Sequence, residues 1–237
     1  MATKKQKRER LERAEQERRA RESAAKRVRV IRAVVIGAVA VVVIVVAVLA
    51  FRWLNEDKPV VTPEHVTENG GVVYPAENKP AADAVEVIVY EDPLCPHCRE
   101  FEAEHGDYLT DAADRGDITL EYRPIALLGD DSVEPVNAMA CVLDAAGEDA
   151  FIEMHDAIFA GGYADASLTD LAAQSSADSS KAADCIDDGT HDGWVDEVTS
   201  QASDDDINMT PTVLVDGDAV AAEDLADIED LVTEAGA

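Results

Sequence analysis

Two cysteines, Cys95-Pro96-His97-Cys98, stand where an apolar run ends and a helical pattern begins. The run before them, Ala84 to Tyr90, is rich in β-branched residues and reads as a buried strand. Arg99 to Glu104, continuing towards Tyr108 and Leu109, reads as a helix. The pair therefore requires a strand that delivers its chain directly into a helix N-terminus. There, helix N–H groups and the helix dipole favour the thiolate of the first sulfur. An unperturbed thiol of pKa about 8.5 is only roughly 3% ionised at pH 7, and lowering it by about two units makes most of it thiolate. The spacing points to a redox-active dithiol. Half of a zinc site and a purely structural bridge are the other readings. Zinc needs about four ligands, yet Cys141 and Cys185 form no second short-spaced pair. A bridge across so short a loop constrains little of the unfolded chain.

Residues 33–51 are 19 consecutive residues without a charge, mostly Val, Ile and Ala. As a helix they extend roughly 28 Å, enough for a hydrocarbon core. Residues 1–52 carry a net charge of +9 and residues 53–237 a net charge of −39. Basic residues before the span place the N-terminus in the cytoplasm and the rest outside. The expected order is a cytoplasmic basic segment at 1–32, a single transmembrane signal anchor at 33–53 and an extracytoplasmic tether at 54–83. A domain at 84–237 follows. A cleaved signal peptide is the alternative, with Val48-Leu49-Ala50 as a tolerable cleavage sequence, but its apolar region is normally about 7–15 residues. In either case the dithiol lies where disulfides form and persist.

Pro, Gly, Asn and charged residues dominate 55–83, with Val72-Val73-Tyr74 as a short edge strand. After the first strand and helix, Ile118 to Arg123 reads as a second strand. From about 132 to 206 the pattern is helical, with apolar positions at Met139, Val142 and Leu143 and at Phe151, Ile152, Met154, Ile158 and Phe159. Ser167 to Asp170 resembles a capping box. Thr210 to Val215, Asp216-Gly217 and Asp218 to Val220 read as a hairpin, and Glu223 to Ala235 as the closing helix.

This order resembles the thioredoxin fold carrying the helical insertion of the DsbA family of thiol-disulfide oxidoreductases, over about 72–237. The motifs behind the resemblance are Asp92-Pro93-Leu94-Cys95-Pro96-His97-Cys98 and Thr210-Pro211-Thr212 followed by Val215-Asp216-Gly217. The resemblance implies an α/β fold, a thioredoxin-like sheet with an inserted helical subdomain. Cys95 is then the nucleophile that forms the mixed disulfide with substrate, and Cys98 the buried partner. Pro96 and His97 tune the pair, and His97 helps stabilise the Cys95 thiolate. Pro211 is a cis-proline facing the dithiol, and the Thr210 backbone pairs with the substrate chain like an added strand. A trans proline at a strand start is the alternative for Pro211.

The implied activity is an extracytoplasmic oxidase that donates the Cys95–Cys98 disulfide to exported protein thiols, without a cofactor. Its partner for reoxidation is a membrane quinone-linked protein of the DsbB or vitamin K epoxide reductase type. A reductase or isomerase, or a non-catalytic holdase, are the alternatives. Thioredoxins place a buried carboxylate six positions before the first cysteine, where this chain has Val89, and Glu91 and Asp92 are expected nearer the surface. Met209 stands where relatives often have Gly. In an oxidising compartment Cys141 and Cys185 are expected to form a structural disulfide, with a second redox pair as the alternative. His65, His105, His155 and His191 lack ligand spacing and are expected to be ordinary polar residues. The acidity of the outer part argues against nucleic acid as a partner, leaving the bilayer contact to residues 33–53.

Overall fold

A computed structural model describes residues 42–48, 60–74, 81, 84–161, 166–175 and 178–236. The chain divides into two units, 1–57 and 58–237. In the first, residues 42–48 are helical with exposed side chains. The remainder of the expected span 33–53 lies outside the described residues. Among the described residues no helix is long and apolar enough to cross a membrane.

The second unit is built on a five-stranded sheet of order β1-β3-β2-β4-β5. The strands are β1 (Val72–Tyr74), β2 (Val85–Glu91), β3 (Ile118–Pro124), β4 (Thr212–Val215) and β5 (Asp218–Ala219). β2 and β3 run parallel, while β1, β4 and β5 are antiparallel to their neighbours. β2 is central, and Val87, Ile88, Val89 and Tyr90 are all buried. That explains its continuous apolar run, since a strand covered on both faces shows no alternation. The Asp216-Gly217 turn has both residues at positive φ, the geometry a two-residue hairpin needs.

A helical run crosses from β2 to β3. It consists of α1 (Pro96–Phe101), a π turn (Glu102–Gly106) and α2 (Asp107–Asp114). The sequence predicts one regular helix here. The structure instead widens a turn at Glu102, and Gly106 leaves room for that side chain. A Cβ at Gly106 would lie 2.7 Å from Glu102 Oε2. Such π turns recur at functional sites.

Five helices stand between β3 and β4: α3 (Val133–Ala146), α4 (Glu148–Phe159), α5 (Leu168–Gln174), α6 (Ser179–Asp188) and α7 (Asp192–Asp204). α3 is the hub of the insertion, packing on the other four. Pro135 to Leu143 are buried without interruption, as expected of a helix that is apolar all round. Ser167 caps α5, accepting from Asp170 N–H at 3.1 Å. Cys141 of α3 and Cys185 of α6 are joined in a disulfide. The closing segment is a 3₁₀ turn (Ala222–Asp227) followed by α8 (Ile228–Ala235), where the sequence pattern suggests one continuous helix.

Part of the composition-defined tether is built into the domain. β1 pairs with β3, the Glu64 N–H donates to Asp144 Oδ1, and His191 Nδ1 lies 2.7 Å from the Val61 carbonyl oxygen.

The Cys141–Cys185 bridge spans a sequence separation of 44, for which chain entropy gives at most about 4 kcal/mol. A Cys141→Ala/Cys185→Ala double variant is expected to lose stability up to that amount while keeping its fold. Urea unfolding followed by circular dichroism measures the loss, and a midpoint equal to wild type would show that the bridge contributes nothing.

Candidate active site

β2 ends at Glu91 and the chain turns through Asp92, Pro93 and Leu94 into Cys95, which precedes the first residue of α1. Asp92 organises this turn. Its backbone carbonyl accepts from Cys95 N–H at 2.9 Å, and its Oδ1 accepts from Leu94 N–H at 2.8 Å. The same carboxylate reaches the start of the insertion, accepting from the Leu128 N–H and the Ser132 hydroxyl, each at 2.8 Å. Glu91 and Asp92 are both wholly buried, which corrects the expectation that they sit near the surface. The segment after β3 folds over the end of β2, with Ile125 N–H donating to the Glu91 carbonyl. No local pattern around 91–92 announces that cover.

Pro96 occupies the first turn of α1, where its missing N–H costs nothing. Both thiols are unbonded. Cys95 is 6% exposed and its Sγ donates to the Thr210 carbonyl oxygen at 3.2 Å. Cys98 is fully enclosed, and Phe159 of α4 joins the two cysteines in one small buried apolar cluster. Burial pushes the Cys98 thiol far above its ordinary range and the charge of Glu91 adds to this. Hydrogen bonds from the Asp92 backbone and the Thr210 side chain oppose it. The Thr210–Pro211 peptide is cis. His97 is turned to solvent, with Nδ1 3.6 Å from Glu100 Oε2. A groove of about 440 Å³ runs beside the dithiol, with Phe101, Met209, Pro211, Leu225 and Ala226 among its walls. Glu100 and Glu104 give it an acidic border. The structure thus brings Cys95, Pro96, His97, Cys98, Thr210 and Pro211 to one place, and keeps Cys141 and Cys185 in the insertion.

A second set of titratable groups lies beneath the dithiol and was not singled out from the sequence. His155 of α4 is wholly buried and its Nε2 is hydrogen-bonded to Glu91 Oε1. Its Nδ1 lies 3.1 Å from Asp156 Oδ1. The ring stacks obliquely between Tyr122 and Phe159, with centroids at 4.3 and 4.6 Å. Burial works against charging this imidazole. The charge of Glu91, hydrogen bonds to Asp156 and Glu91, and the charge of Glu102 outweigh it, and His155 is held well above its ordinary 6.5. Glu102 is pushed up to about 8, first by burial and then by the Glu91 charge, with His155 pulling the other way. Glu91 Oε2, Glu102 Oε1 and the Tyr122 hydroxyl are enclosed without a hydrogen-bond partner. His155 sits on the apolar face made by Phe151, Met154 and Ile158, which disguised it in the sequence as a core position.

A thioredoxin family model matches residues 79–234. The chain belongs to the thioredoxin family. Among solved structures it is similar to MdbA, a thiol-disulfide oxidoreductase from Actinomyces oris, with TM-score 0.64 and 24% identity over 73% of this chain and 92% of that one. It is similar to reduced DsbA from Mycobacterium tuberculosis, with TM-score 0.55 and 26% identity over 72% and 89%. Oxidised BdbD from Bacillus subtilis matches with TM-score 0.60 and 19% identity over 75% and 99%. No curated protein matches.

Two groups of ligand-type side chains gather among the described residues of this thioredoxin-family chain. In Cys141, Cys185 and His191 the sulfurs are already bonded to each other. In Glu91, Glu102 and His155 both ring nitrogens already face carboxylates. Of the other histidines, His65 is exposed beside Glu148, and His105 and His191 are buried. His155 is a buried polar residue with partners at both ring nitrogens, and α4 packs it directly onto the end of β2.

Two outcomes follow for the thioredoxin-family site. Asp92→Ala strands the Leu94 and Leu128 N–H groups and the Ser132 hydroxyl, and is expected to cost roughly 3 kcal/mol or more. Thermal melts of the variant and wild type test this, and equal midpoints would contradict it. Glu102 and His155 are both raised relative to their unfolded values of 4.5 and 6.5, so the folded state binds more protons than the unfolded one. Stability is therefore present at low pH and falls as pH climbs from roughly 4.5 through the raised values. Glu102→Gln, permanently neutral, is expected to flatten the part of this decline between 4.5 and about 8, read from melting midpoints against pH.

Proposed function

We propose that this protein is a membrane-tethered, extracytoplasmic oxidase that passes the Cys95–Cys98 disulfide to the thiols of exported proteins. The enzyme class is protein thiol-disulfide oxidoreductase. The observation that carries the reading is the asymmetry of the pair. Cys95 lies against the carbonyl of Thr210, a residue of the groove wall, while Cys98 is enclosed and held protonated. A client thiolate attacks Cys95 Sγ, the Cys95–Cys98 bond breaks, and its electron pair goes to Cys98, which takes a proton. A second client thiolate then attacks the client sulfur of the mixed disulfide and releases Cys95 as thiolate. The Thr210 carbonyl, beside Cys95, pairs with a client backbone N–H and holds it extended.

The extracytoplasmic placement is supported by the basic segment before the uncharged run and by a second disulfide of the kind that persists outside the cytosol. Each turnover leaves a reduced dithiol, so an electron acceptor is required. A quinone-linked membrane partner of the DsbB or vitamin K epoxide reductase type supplies that role for a protein anchored through 33–53.

Cys95→Ser is expected to abolish oxidation of a reduced client, and Cys98→Ser to trap Cys95-linked mixed disulfides seen on non-reducing gels. Equilibration with glutathione gives the direction of the chemistry. A strongly oxidising potential agrees with the oxidase, and a thioredoxin-like value would replace it with a reductase.

A further inference from the structure

One face of α3 is gathered around a single histidine. Asn137, Cys141 and Asp144 occupy the i, i+4 and i+7 positions of that helix and so share a face. Asn137 Oδ1 accepts from the His191 N–H at 2.8 Å, and Asp144 Oδ2 lies 3.3 Å from His191 Nε2. Cys141 and its bridge partner Cys185 of α6 both place their sulfurs within 4.8 Å of a ring nitrogen of the same residue. The chain before β1 completes the enclosure. The Val61 carbonyl oxygen lies 2.7 Å from His191 Nδ1, and the Glu64 N–H donates to Asp144 Oδ1 at 2.6 Å.

A carbonyl oxygen only accepts, so Nδ1 carries an N–H and Nε2 of the neutral ring keeps its lone pair. His191 is wholly buried, and Nε2 is enclosed without a hydrogen-bond partner while facing a carboxylate oxygen. An imidazole tied by one nitrogen to a backbone carbonyl and open at the other is the arrangement of a metal-ligating histidine.

We propose that Cys141, Cys185, His191 and Asp144 bind a zinc ion when the bridge between the two cysteines is reduced, so that α3 and α6 are clipped by a metal in one redox state and by a disulfide in the other. A dithiol or phosphine reductant gives two electrons to the S–S bond, and each sulfur takes a proton as it becomes a thiol. Zn²⁺ displaces those two protons and binds both thiolates, His191 Nε2 and a carboxylate oxygen of Asp144. Oxidation by another molecule's disulfide removes two electrons, rejoins the sulfurs and releases the ion. Thiolate and imidazole ligands favour Zn²⁺ over the hard cations Mg²⁺ and Ca²⁺. Ligand atoms of a tetrahedral zinc site lie roughly 3.3–3.8 Å apart, close to the present gathering of the two sulfurs and the ring. A chain is made with its cysteines reduced, and zinc gives the insertion its clip before the oxidising compartment supplies the bridge. The Val61 carbonyl and the Glu64 N–H are then the outer partners that orient His191 and Asp144.

The test uses the full-length Cys95→Ser/Cys98→Ser protein, whose remaining cysteines are Cys141 and Cys185. It is reduced with a phosphine under native conditions, freed of reductant and titrated with Co²⁺ and then Zn²⁺. One Co²⁺ per chain with thiolate-to-cobalt charge-transfer absorption, displaced by Zn²⁺, is expected, and none for the unreduced protein. Zn²⁺ is also expected to raise the melting midpoint of the reduced protein alone. His191→Ala is expected to lose stoichiometric binding, and Asp144→Asn to weaken it by about tenfold or more. If His191→Ala does not fold, Asp144→Asn, at a partly exposed side chain, decides the matter. A reduced protein that binds no Co²⁺ would overturn the site and leave His191 as the ion-pair partner of Asp144. Binding of unchanged strength in a folded variant would overturn it too, because two free thiols would then be acting alone. The background lacks Cys95 and Cys98, so neither result bears on the exchange reading.

Discussion

The pairing of β2 with β4 is the constraint on which the site depends. Tyr90 lies opposite Thr212 in that antiparallel ladder. The end of β2 feeds the dithiol turn, and the residues just before Thr212 are Thr210 and Pro211. One register therefore brings two motifs more than a hundred residues apart into contact, closing with the hydrogen bond from Cys95 Sγ to the Thr210 carbonyl. A slip of one residue would turn the buried Val213 outwards and separate the two walls.

Around that ladder the protein buries charge in two ways. Asp92 is paired at both oxygens, Oδ1 accepting from the Leu94 N–H and the Ser132 hydroxyl and Oδ2 from the Leu128 N–H, and it ties the dithiol turn to the start of the insertion. Buried carboxylates of this kind rigidify what they touch. Glu91 is paired on one side only, and His155, Glu102 and Tyr122 crowd around the remainder. Two carboxyl groups sharing one imidazole in a dry site cannot all be charged cheaply, so protonation settles the balance. The first arrangement gives a fixed turn, and the second a buried cluster whose charge depends on pH. Val89, at the position where thioredoxins carry an acid, is an ordinary core valine. The acid stands two residues later instead.

The insertion supplies more than bulk. α3 organises the inserted helices, and the Cys141–Cys185 bridge fastens α3 to α6. α4 contributes His155, Asp156 and, one turn on, Phe159 to the underside of the dithiol. The insertion thus supplies half of the buried surroundings of the dithiol that the sheet positions.

Much of this was legible in the residues. The β-branched run of β2, the cysteine spacing, the Pro at the start of α1, the Asp-Gly hairpin and the edge strand at Val72–Tyr74 are local signals, set by backbone sterics and short-range periodicity. They determined a strand-to-helix dithiol and a second strand pair behind Thr210-Pro211. The burial of Glu91 and Asp92, the π turn that carries Glu102 inwards and the arrival of His155 at the end of β2 carried no such mark. Each depends on which helix packs over which strand end, a long-range outcome of burying the apolar faces of α3 and α4. Sequence determined which residues form the dithiol; only the tertiary structure decided which buried acids and which histidine gather beneath it, because that depends on how α4 packs over the end of β2.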